Sequence, residues 1–374
     1  MAFFVFFSIV LLIYGLINYY IYRRIIPLAG DWKTTFSILF WLLVLMYPAG
    51  RILEKQAVSF LSDFMIWVGA FWLAIMLYAL LWVLISDFYR LLGLLIPGLK
   101  NLSKALSLEL KLIISGVIVL LPVIVGYINA NHPRLVHFEV PARVEKKLRL
   151  TFLSDIHLGT TASKVKIERI KALVEKSRPD LLIYGGDVLD EDVSPVERKK
   201  IGYDLLSYKA PLGVYAVTGN HEYIGGAPHA VSFLKSFGIV VLQDEWVIID
   251  SSLIIAGRKD KDGARFGGGN RKTVHELLSN VPSDLPVLLV DHQPFDIDEK
   301  AQANIFLNLS GHTHHGQLWP LNLITRAIYE QSHGWLERGT SLYYVSCGAG
   351  TWGPPLRTSS RPEVIVIDLI PQSK

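Results

Sequence analysis

Residues 148–157 read LRLTFLSDIH. Leu148–Ser154 is an apolar run with the length and composition of a buried strand, and it ends in an aspartate and a histidine two apart, Asp155 and His157. The arrangement recurs along the chain. Asp180–Gly186 (DLLIYGG) runs into Asp187, and Gly213–Thr218 (GVYAVT) runs into Gly219, Asn220, His221 and Glu222. Val287–Val290 leads to Asp291 and His292, and Ile305–Leu309 leads to Gly311, His312, Thr313 and His314. In sheets covered on both faces, ligands gather beyond the carboxyl ends of the strands, which is where these polar clusters fall.

Working outward, helical periodicity fills the gaps. Helices are expected over Lys164–Ser177, roughly 197–208, and near His229–Phe237. A hairpin is expected from Trp246–Ile249 to Leu253–Ala256, and further strands at Leu342–Ser346 and Val364–Leu369. Strand–helix alternation over this length predicts an α/β domain spanning 148–374.

The pairs Asp155/His157 and His312/His314 place two ligand-type residues on one side of an extended backbone, where alternate side chains align. Nearby glycines remove bulk where the backbone must turn. A single aspartate after a strand commonly caps a helix. Five such clusters in one topological position point instead to a dispersed metal site. Mixed histidine and carboxylate ligation suits Mn²⁺, Zn²⁺ or Fe and argues against Ca²⁺.

The blocks D-x-H, G-G-D, G-N-H-E, H-Q-P and G-H-T-H, in this order over residues 148–347, resemble the calcineurin-like metallophosphoesterase family, nearest its bacterial membrane-associated branch. The resemblance implies a four-layer domain, two sheets flanked by helices, with a binuclear centre. It implies one divalent ion held by Asp155, His157, Asp187 and His314, and a second by Asp187, Asn220, His292 and His312. Asp187 would bridge them, and His221 would stand beside the phosphate as the catalytic histidine. Two such cations neutralise phosphate oxygens and acidify a water for in-line attack, so no serine or cysteine nucleophile is required. His315 stands where that branch usually has glycine, either as a donor to substrate or turned to solvent.

The N-terminal part has a different character. The chain of 374 residues is 51% hydrophobic and 19% charged, against about 25% charged in an ordinary soluble domain. Residues 1–140 contain 10 Lys/Arg against 6 Asp/Glu, whereas 141–374 contain 27 of each, so the formal excess of +4 lies wholly in the first part. A basic balance between apolar runs concerns membrane orientation rather than polyanion binding, and no nucleic-acid partner is expected. An all-α transmembrane domain over 1–131 is expected, with spans at 2–22, 34–50, 64–86 and 112–130. The first run lacks a basic leader and a small-x-small cleavage site, so it reads as a span. Residues 88–110, interrupted by Pro97-Gly98, read as an interfacial helical segment or a plain amphipathic connector, and 132–147 as a linker.

Arg23, Arg24, Lys33, Arg90, Lys100, Lys104 and Lys111 flank the first and third connectors, against Arg51 and Lys55 in the second. This charge bias predicts a multi-pass protein of the bacterial cytoplasmic membrane with an extracytoplasmic catalytic domain. The basic residues after the fourth span, Arg134, Arg143, Lys146, Lys147 and Arg149, run against it. The lone Cys347 excludes an intrachain disulfide.

Substrate clues lie in two loops. The Gly-rich basic stretch 258–272, RKDKDGARFGGGNRK, offers Arg258, Lys259, Arg265 and Arg271 for an anionic group, or is simply a solvated loop. The apolar stretch 318–336, including Trp319, reads as a wall or cover beside the site. The expected function is hydrolysis of a phosphoester or pyrophosphate bond, the substrate being a phosphorylated small molecule or a lipid-linked one, with membrane lipids as partners and no obligate protein partner. The alternatives are a broad phosphodiesterase merely tethered to the membrane, or a non-catalytic phospho-ligand sensor.

Overall fold

The computed structural model describes residues 2–96, 107–282, 284–303 and 305–372. The chain divides into two compact units, residues 1–126 and 127–374.

The first unit is helical. It comprises α1 (Ala2–Ile25), a 3₁₀ turn over Ile26–Trp32, α2 (Lys33–Gln56), α3 (Phe60–Leu95) and α4 (Leu108–Ala130). Among the described residues, three helical stretches are long and apolar enough to cross a membrane: Ser8–Gln56, Phe60–Leu95 and Leu108–Ala130. The first is bent back on itself at Gly30, whose φ is +53°. Its two arms run side by side, because the Tyr14 hydroxyl donates to the Val44 carbonyl at 2.7 Å and the Tyr22 ring lies 5.4 Å from Phe40. Outward residues such as Leu12, Leu16, Leu45, Ile113 and Ile124 are each more than half exposed. A helix apolar all round is stable against hydrocarbon rather than water. Pro48 and Pro122 lie inside α2 and α4, as membrane helices tolerate when the freed backbone groups find other partners. The stretch expected as an interfacial segment is in part a continuation of α3 through Leu95. Residues 97–106, including Pro97-Gly98, Lys100 and Lys104, lie outside the described residues.

The second unit contains two six-stranded sheets. In chain order the strands are β1 (Arg134–Ala142), β2 (Leu148–Leu153), β3 (Leu181–Gly185), β4 (Val214–Val217), β5 (Val240–Leu242), β6 (Glu245–Ile249), β7 (Leu253–Gly257), β8 (Val287–Val290), β9 (Ile305–Ser310), β10 (Gly334–Arg338), β11 (Ser341–Val345) and β12 (Glu363–Pro371). The sheet orders are β1-β12-β2-β3-β4-β5 and β10-β11-β9-β8-β7-β6. β2 to β5 are parallel, as are β7, β8, β9 and β11. The helices that matter below are α5 (Lys164–Ser177), α6 (Asn220–Gly225), α7 (Ala227–Ser236) and α8 (Leu321–Ile328).

Strand alternation builds the layers. Leu150, Phe152, Leu181 and Ile183 of one sheet meet Leu253, Ile255, Leu288 and Leu307 of the other in a common core. On the outer face of the first sheet, Leu182 and Tyr184 pack with Ile167, Ile170 and Val174 of α5 and with Val231 and Leu234 of α7. On the outer face of the second, Ile254 and Leu289 pack with Val274 and Leu277. The result is helix, sheet, sheet, helix.

Two expectations need correcting. Residues 132–147 are not all linker, since β1 pairs in parallel with β12 from Arg134 opposite Glu363 to Ala142 opposite Pro371. The helix expected over roughly 197–208 is two short ones, Ser194–Lys199 and Tyr203–Leu206. Lys200 (φ +49°) and Gly202 (φ +79°) take left-handed conformations that stop the first and redirect the second.

Candidate metal centre

The five polar clusters follow β2, β3, β4, β8 and β9, and the structure draws them to one place. The backbone does this in an unexpected way. Asp155 (φ +53°), His157 (+50°), Asp187 (+49°), His312 (+71°) and His314 (+47°) all occupy the left-handed region. The Asp-x-His and His-x-His pairs therefore converge through tight turns, not through the extended backbone their spacing suggested. Left-handed non-glycine residues are costly, and they cluster where a site requires their side chains.

Asp155, His157 and His314 form one group of potential ligands, and Asp187, His292 and His312 another; His157, Asp187 and His221 form a third that links them. The Nε2 atoms of His157 and His314 are 3.0 Å apart. Two ligand atoms about 2.1 Å from one ion and at right angles would be separated by about 3.0 Å. Asp155 Oδ1 lies 3.5 Å from His314 Nε2, and Asp187 Oδ2 lies 3.8 Å from His157 Nε2. On the other side, Asp187 Oδ2 is 3.1 Å from His292 Nε2, and His312 Nδ1 is 2.8 Å from Asn220 Oδ1. Asp187 thus touches both halves of a binuclear metal-binding site.

The electrostatics fit cations. Burial pulls His292 down, but the Asp187 carboxylate overrides it and lifts the ring well above its ordinary range, so this spot favours positive charge. His312 is pushed down to about 3 by burial and the charge of His292. Burial and Arg357 hold His314 well below the imidazole range. Neutral rings are the form that can ligate. Among the described residues, the Nε2 atom of His292 and the Nδ1 atoms of His157 and His221 are buried without a well-formed hydrogen bond, their nearest carboxylates lying 3.1, 3.5 and 3.6 Å away. Polar atoms left this way in a native site call for an ion or a water.

A supporting layer holds these groups. The His292 Nδ1–H donates to the Gly185 carbonyl at 2.8 Å, turning Nε2 toward Asp187. Asp155 accepts from the His312 backbone N–H at 2.9 and 3.1 Å. The fully buried Glu222 accepts from the backbone N–H groups of Asp187, Leu189 and Gly219 at 3.0, 3.0 and 2.7 Å. It clamps the loops after β3 and β4 together. Asp190 lies 3.5 Å from His157 Nδ1 and 3.6 Å from His221 Nδ1. Arg357, wholly buried, donates to the Gly350 carbonyl and Ser360 hydroxyl, and sets Nη2 2.9 Å from His314 Nδ1. A Cβ on Gly219 would sit 2.6 Å from the Asp187 nitrogen, 2.8 Å from His292 Nε2 and closer still to Asp187 Oδ1, so only glycine fits.

The expected substrate residues fare differently. Arg258 and Arg271 are engaged, not free: Arg258 reaches Asp291 Oδ2 at 3.1 Å, Arg271 reaches Asp291 Oδ1 at 3.2 Å and also holds Asp296, and Lys300 closes on Asp291 at 3.0 Å. Asp291 is the buried hub of this ion cluster, so of the Asp291-His292 pair only His292 faces the metals. Arg265 is exposed and lies 3.9 Å from Asp262, while the Lys259 backbone N–H binds Asp244. Trp319 is exposed; the aromatics whose rings adjoin the site histidines are Trp352, 5.6 Å from His221, and Tyr329, 6.1 Å from His312. His315 is buried, with its Nδ1 3.1 Å from Ser332 Oγ. Glu222 was visible in the G-N-H-E block without its role as a clamp. Asp190 and Arg357 carried no signal, since a lone aspartate and a lone arginine in loops reveal no partners.

Residues 148–316 match the calcineurin-like phosphoesterase family. A protein of Aquifex aeolicus (strain VF5), called an uncharacterized metallophosphoesterase, is 36% identical over 225 residues, covering 60% of this chain and 85% of its own. An uncharacterized metallophosphoesterase of Campylobacter jejuni is 29% identical over 383 residues, 99% of each chain. A Danio rerio protein called a transmembrane protein with metallophosphoesterase domain is 32% identical over 278 residues, 70% of this chain and 62% of its own. The order of ligand blocks, the paired sheets and the shared Asp187 thus have one common source: this chain belongs to the calcineurin-like phosphoesterase family, its catalytic domain following membrane-type helices.

Proposed function

We propose that this metallophosphoesterase hydrolyses a phosphoester or pyrophosphate bond in a lipid or lipid-linked substrate. The observation that carries the lipid reading is a set of exposed apolar side chains in the segments that follow the His312-x-His314 pair. Leu323, Ile324 and Ile328 of α8 are each more than half exposed, as are Trp319 and Trp352. The helix has no buried residue. Tyr329, which follows it, lies 6.1 Å from the His312 ring, and Trp352 lies 5.6 Å from His221. Exposed apolar side chains in segments adjoining a polar site suit a ligand with acyl chains.

In this reading Asp155, His157, Asp187 and His314 would hold one divalent ion, and Asp187, Asn220, His292 and His312 would hold the other, with Mn²⁺, Zn²⁺ or Fe suited to the donors. When bound, the ions would neutralise the phosphate oxygens and acidify a water. Asp187, which touches both halves, would serve both ions. Asn220 adds a ligand oxygen without adding charge that would repel the substrate. His221 stands 4.7 Å from the His157 ring, beside Asp190. There its imidazole can donate a proton to the leaving oxygen. The charge bias of the connectors supports an extracytoplasmic site.

The test is hydrolysis by the full chain of phosphomonoesters, nucleotide diesters, glycerophospholipids and lipid pyrophosphates, with Mn²⁺ or Zn²⁺ restored after chelation. The reading expects the lipid substrates to be preferred and Asp187→Asn to abolish turnover. A preference for water-soluble diesters would indicate the tethered-phosphodiesterase reading, and activity persisting in the variant would refute the mechanism. Protection of residues 148–374 from protease on intact spheroplasts would reverse the orientation.

A further inference from the structure

Helix α8 is amphipathic in the wrong sense for a domain surrounded by water. At about 100° per residue, Leu321, Leu323, Ile324, Ala327 and Ile328 share one arc of the helix, and Asn322 and Thr325 lie on the other. In a water-soluble domain the apolar arc packs inward. Here Leu323, Ile324 and Ile328 point out, each more than half exposed, as does Trp319 just before the helix. Asn322 is the side that faces the domain. Its Oδ1 is buried, and its backbone packs so closely on the 316 turn that a Cβ on Gly316 would collide with the Asn322 nitrogen.

Hydrogen bonds within the second unit tie the start of this helix to the end of the last apolar span. The Trp319 N–H donates to the Thr358 hydroxyl at 2.8 Å, and the Thr358 N–H donates to the Gln317 carbonyl at 2.9 Å. The Ser359 hydroxyl donates to the His315 carbonyl at 2.8 Å. On its other side the same loop receives the Asn129 side-chain amide at the carbonyls of Arg357 and Ser360, at 2.9 and 2.8 Å. Asn129 stands in the last turn of α4, and that turn belongs to the second unit, which begins at Tyr127. Ile124, Val125 and Ile128 are each more than half exposed, so the apolar outer surface of α4 runs up to the residue before Asn129. The level at which a span passes from hydrocarbon to headgroups therefore lies beside the loop that carries Trp319.

We propose that α8, with Trp319, docks into the headgroup–acyl boundary of the bilayer that α4 crosses, as a second, interfacial anchor of the catalytic domain. An amphipathic helix lying in the plane of the interface buries an apolar arc of this kind, and tryptophan favours the same depth. Arg326, at the edge of the arc, can extend its guanidinium to lipid phosphates while its stem stays on the apolar side. Docking would hold the turn that carries His314 next to the membrane surface. The inference goes beyond the lipid-substrate reading and does not depend on it, because a docked enzyme can equally act on a soluble ester.

The test is nitroxide accessibility in the full chain, held in nanodiscs of phosphatidylethanolamine and phosphatidylglycerol. Spin labels are placed at Ile324→Cys and Ile328→Cys, and at Ile248→Cys, an exposed position on β6. Cys347 is wholly buried and can remain, with labelled wild type as the blank. The labels at 324 and 328 should be relaxed severalfold more by O₂, which concentrates in hydrocarbon, than by a water-soluble nickel chelate. The label at 248 should show the reverse order. Leu323→Cys replaces either variant should its metal content fall below wild type. Labels at 324 and 328 that meet the chelate as freely as the one at 248 overturn the proposal. Shielding from both reagents also overturns it, since a protein surface and not lipid would then cover the helix. The lipid-substrate reading stands or falls separately, on the hydrolysis panel above.

Discussion

Replacing Glu222 with glutamine exchanges one oxygen for an NH₂ group at nearly constant volume, yet it should loosen the whole metal centre. Glu222 Oε2 accepts from the N–H groups of Asp187 and Gly219 at 3.0 and 2.7 Å, and Oε1 accepts from Leu189 at 3.0 Å. All three donors are backbone groups, and the carboxylate is fully buried. A glutamine amide has one acceptor oxygen. Turned the better way, it keeps the Asp187 and Gly219 bonds and points its NH₂ at the Leu189 N–H. One charge-assisted hydrogen bond, about 1.5–3 kcal/mol, is then lost and a buried donor is left unsatisfied. The overlapping costs total about 2–4 kcal/mol. For a unit of this size that lowers Tm by roughly 5–15 °C. Because the clamp sets the position of Asp187, metal affinity should also fall about 10–100-fold, the usual effect of removing a partner that orients ligands. Burial and the Asp187 charge push the Glu222 carboxyl up to about 7, so the comparison belongs at pH 8, where the wild-type side chain is ionised. Calorimetric unfolding of the full chain and metal content at buffered free Mn²⁺ measure the two effects. If Glu222→Gln matches wild type in both, the clamp does not support the site and the reasoning is wrong.

Further expectations concern the same domain. Gly219→Ala keeps an ordinary extended backbone but drives a methyl group against Asp187 and His292. Activity and metal content should therefore fall together, while circular dichroism is preserved; normal metal content would contradict the close approach. Asp368 is buried among Arg149 at 2.7 Å, Lys147 at 2.8 Å and His137 at 2.9 Å, and the Arg149 guanidinium holds its carboxyl well below the usual range. Asp368→Asn should cost about 2–3 kcal/mol at neutral pH. Because the folded-state pKa is depressed, the wild-type advantage should be complete above about pH 4 and shrink as the pH falls further. Denaturation at pH 7 and pH 3 checks this, and a gap that grows on acidification would refute it.

Five apolar strands ending in aspartate, asparagine and histidine were enough to infer an α/β domain, the family and the presence of a binuclear metal-binding cluster. This information is local, because a buried strand and the residue that follows it are neighbours in the chain. The membrane helices were legible for the same reason, since about 20 apolar residues in a row need no partner to be recognised. The left-handed turns that aim Asp155, His157, Asp187, His312 and His314 were not legible. Any of these residue types can sit in an extended strand, and only the pull of a shared site makes the strained form worthwhile. β1 was hidden among basic residues because its partner, β12, comes more than 200 residues later. Arg258 and Arg271 looked like free cations until Asp291 and Asp296 were found beside them. What the sequence by itself determined was the fold class, the apolar helices and the metal-type clusters that end the central strands, through periodicity and adjacency. The tertiary structure alone decided which charges are neutralised and which remain available, because that depends on contacts between residues far apart in the chain.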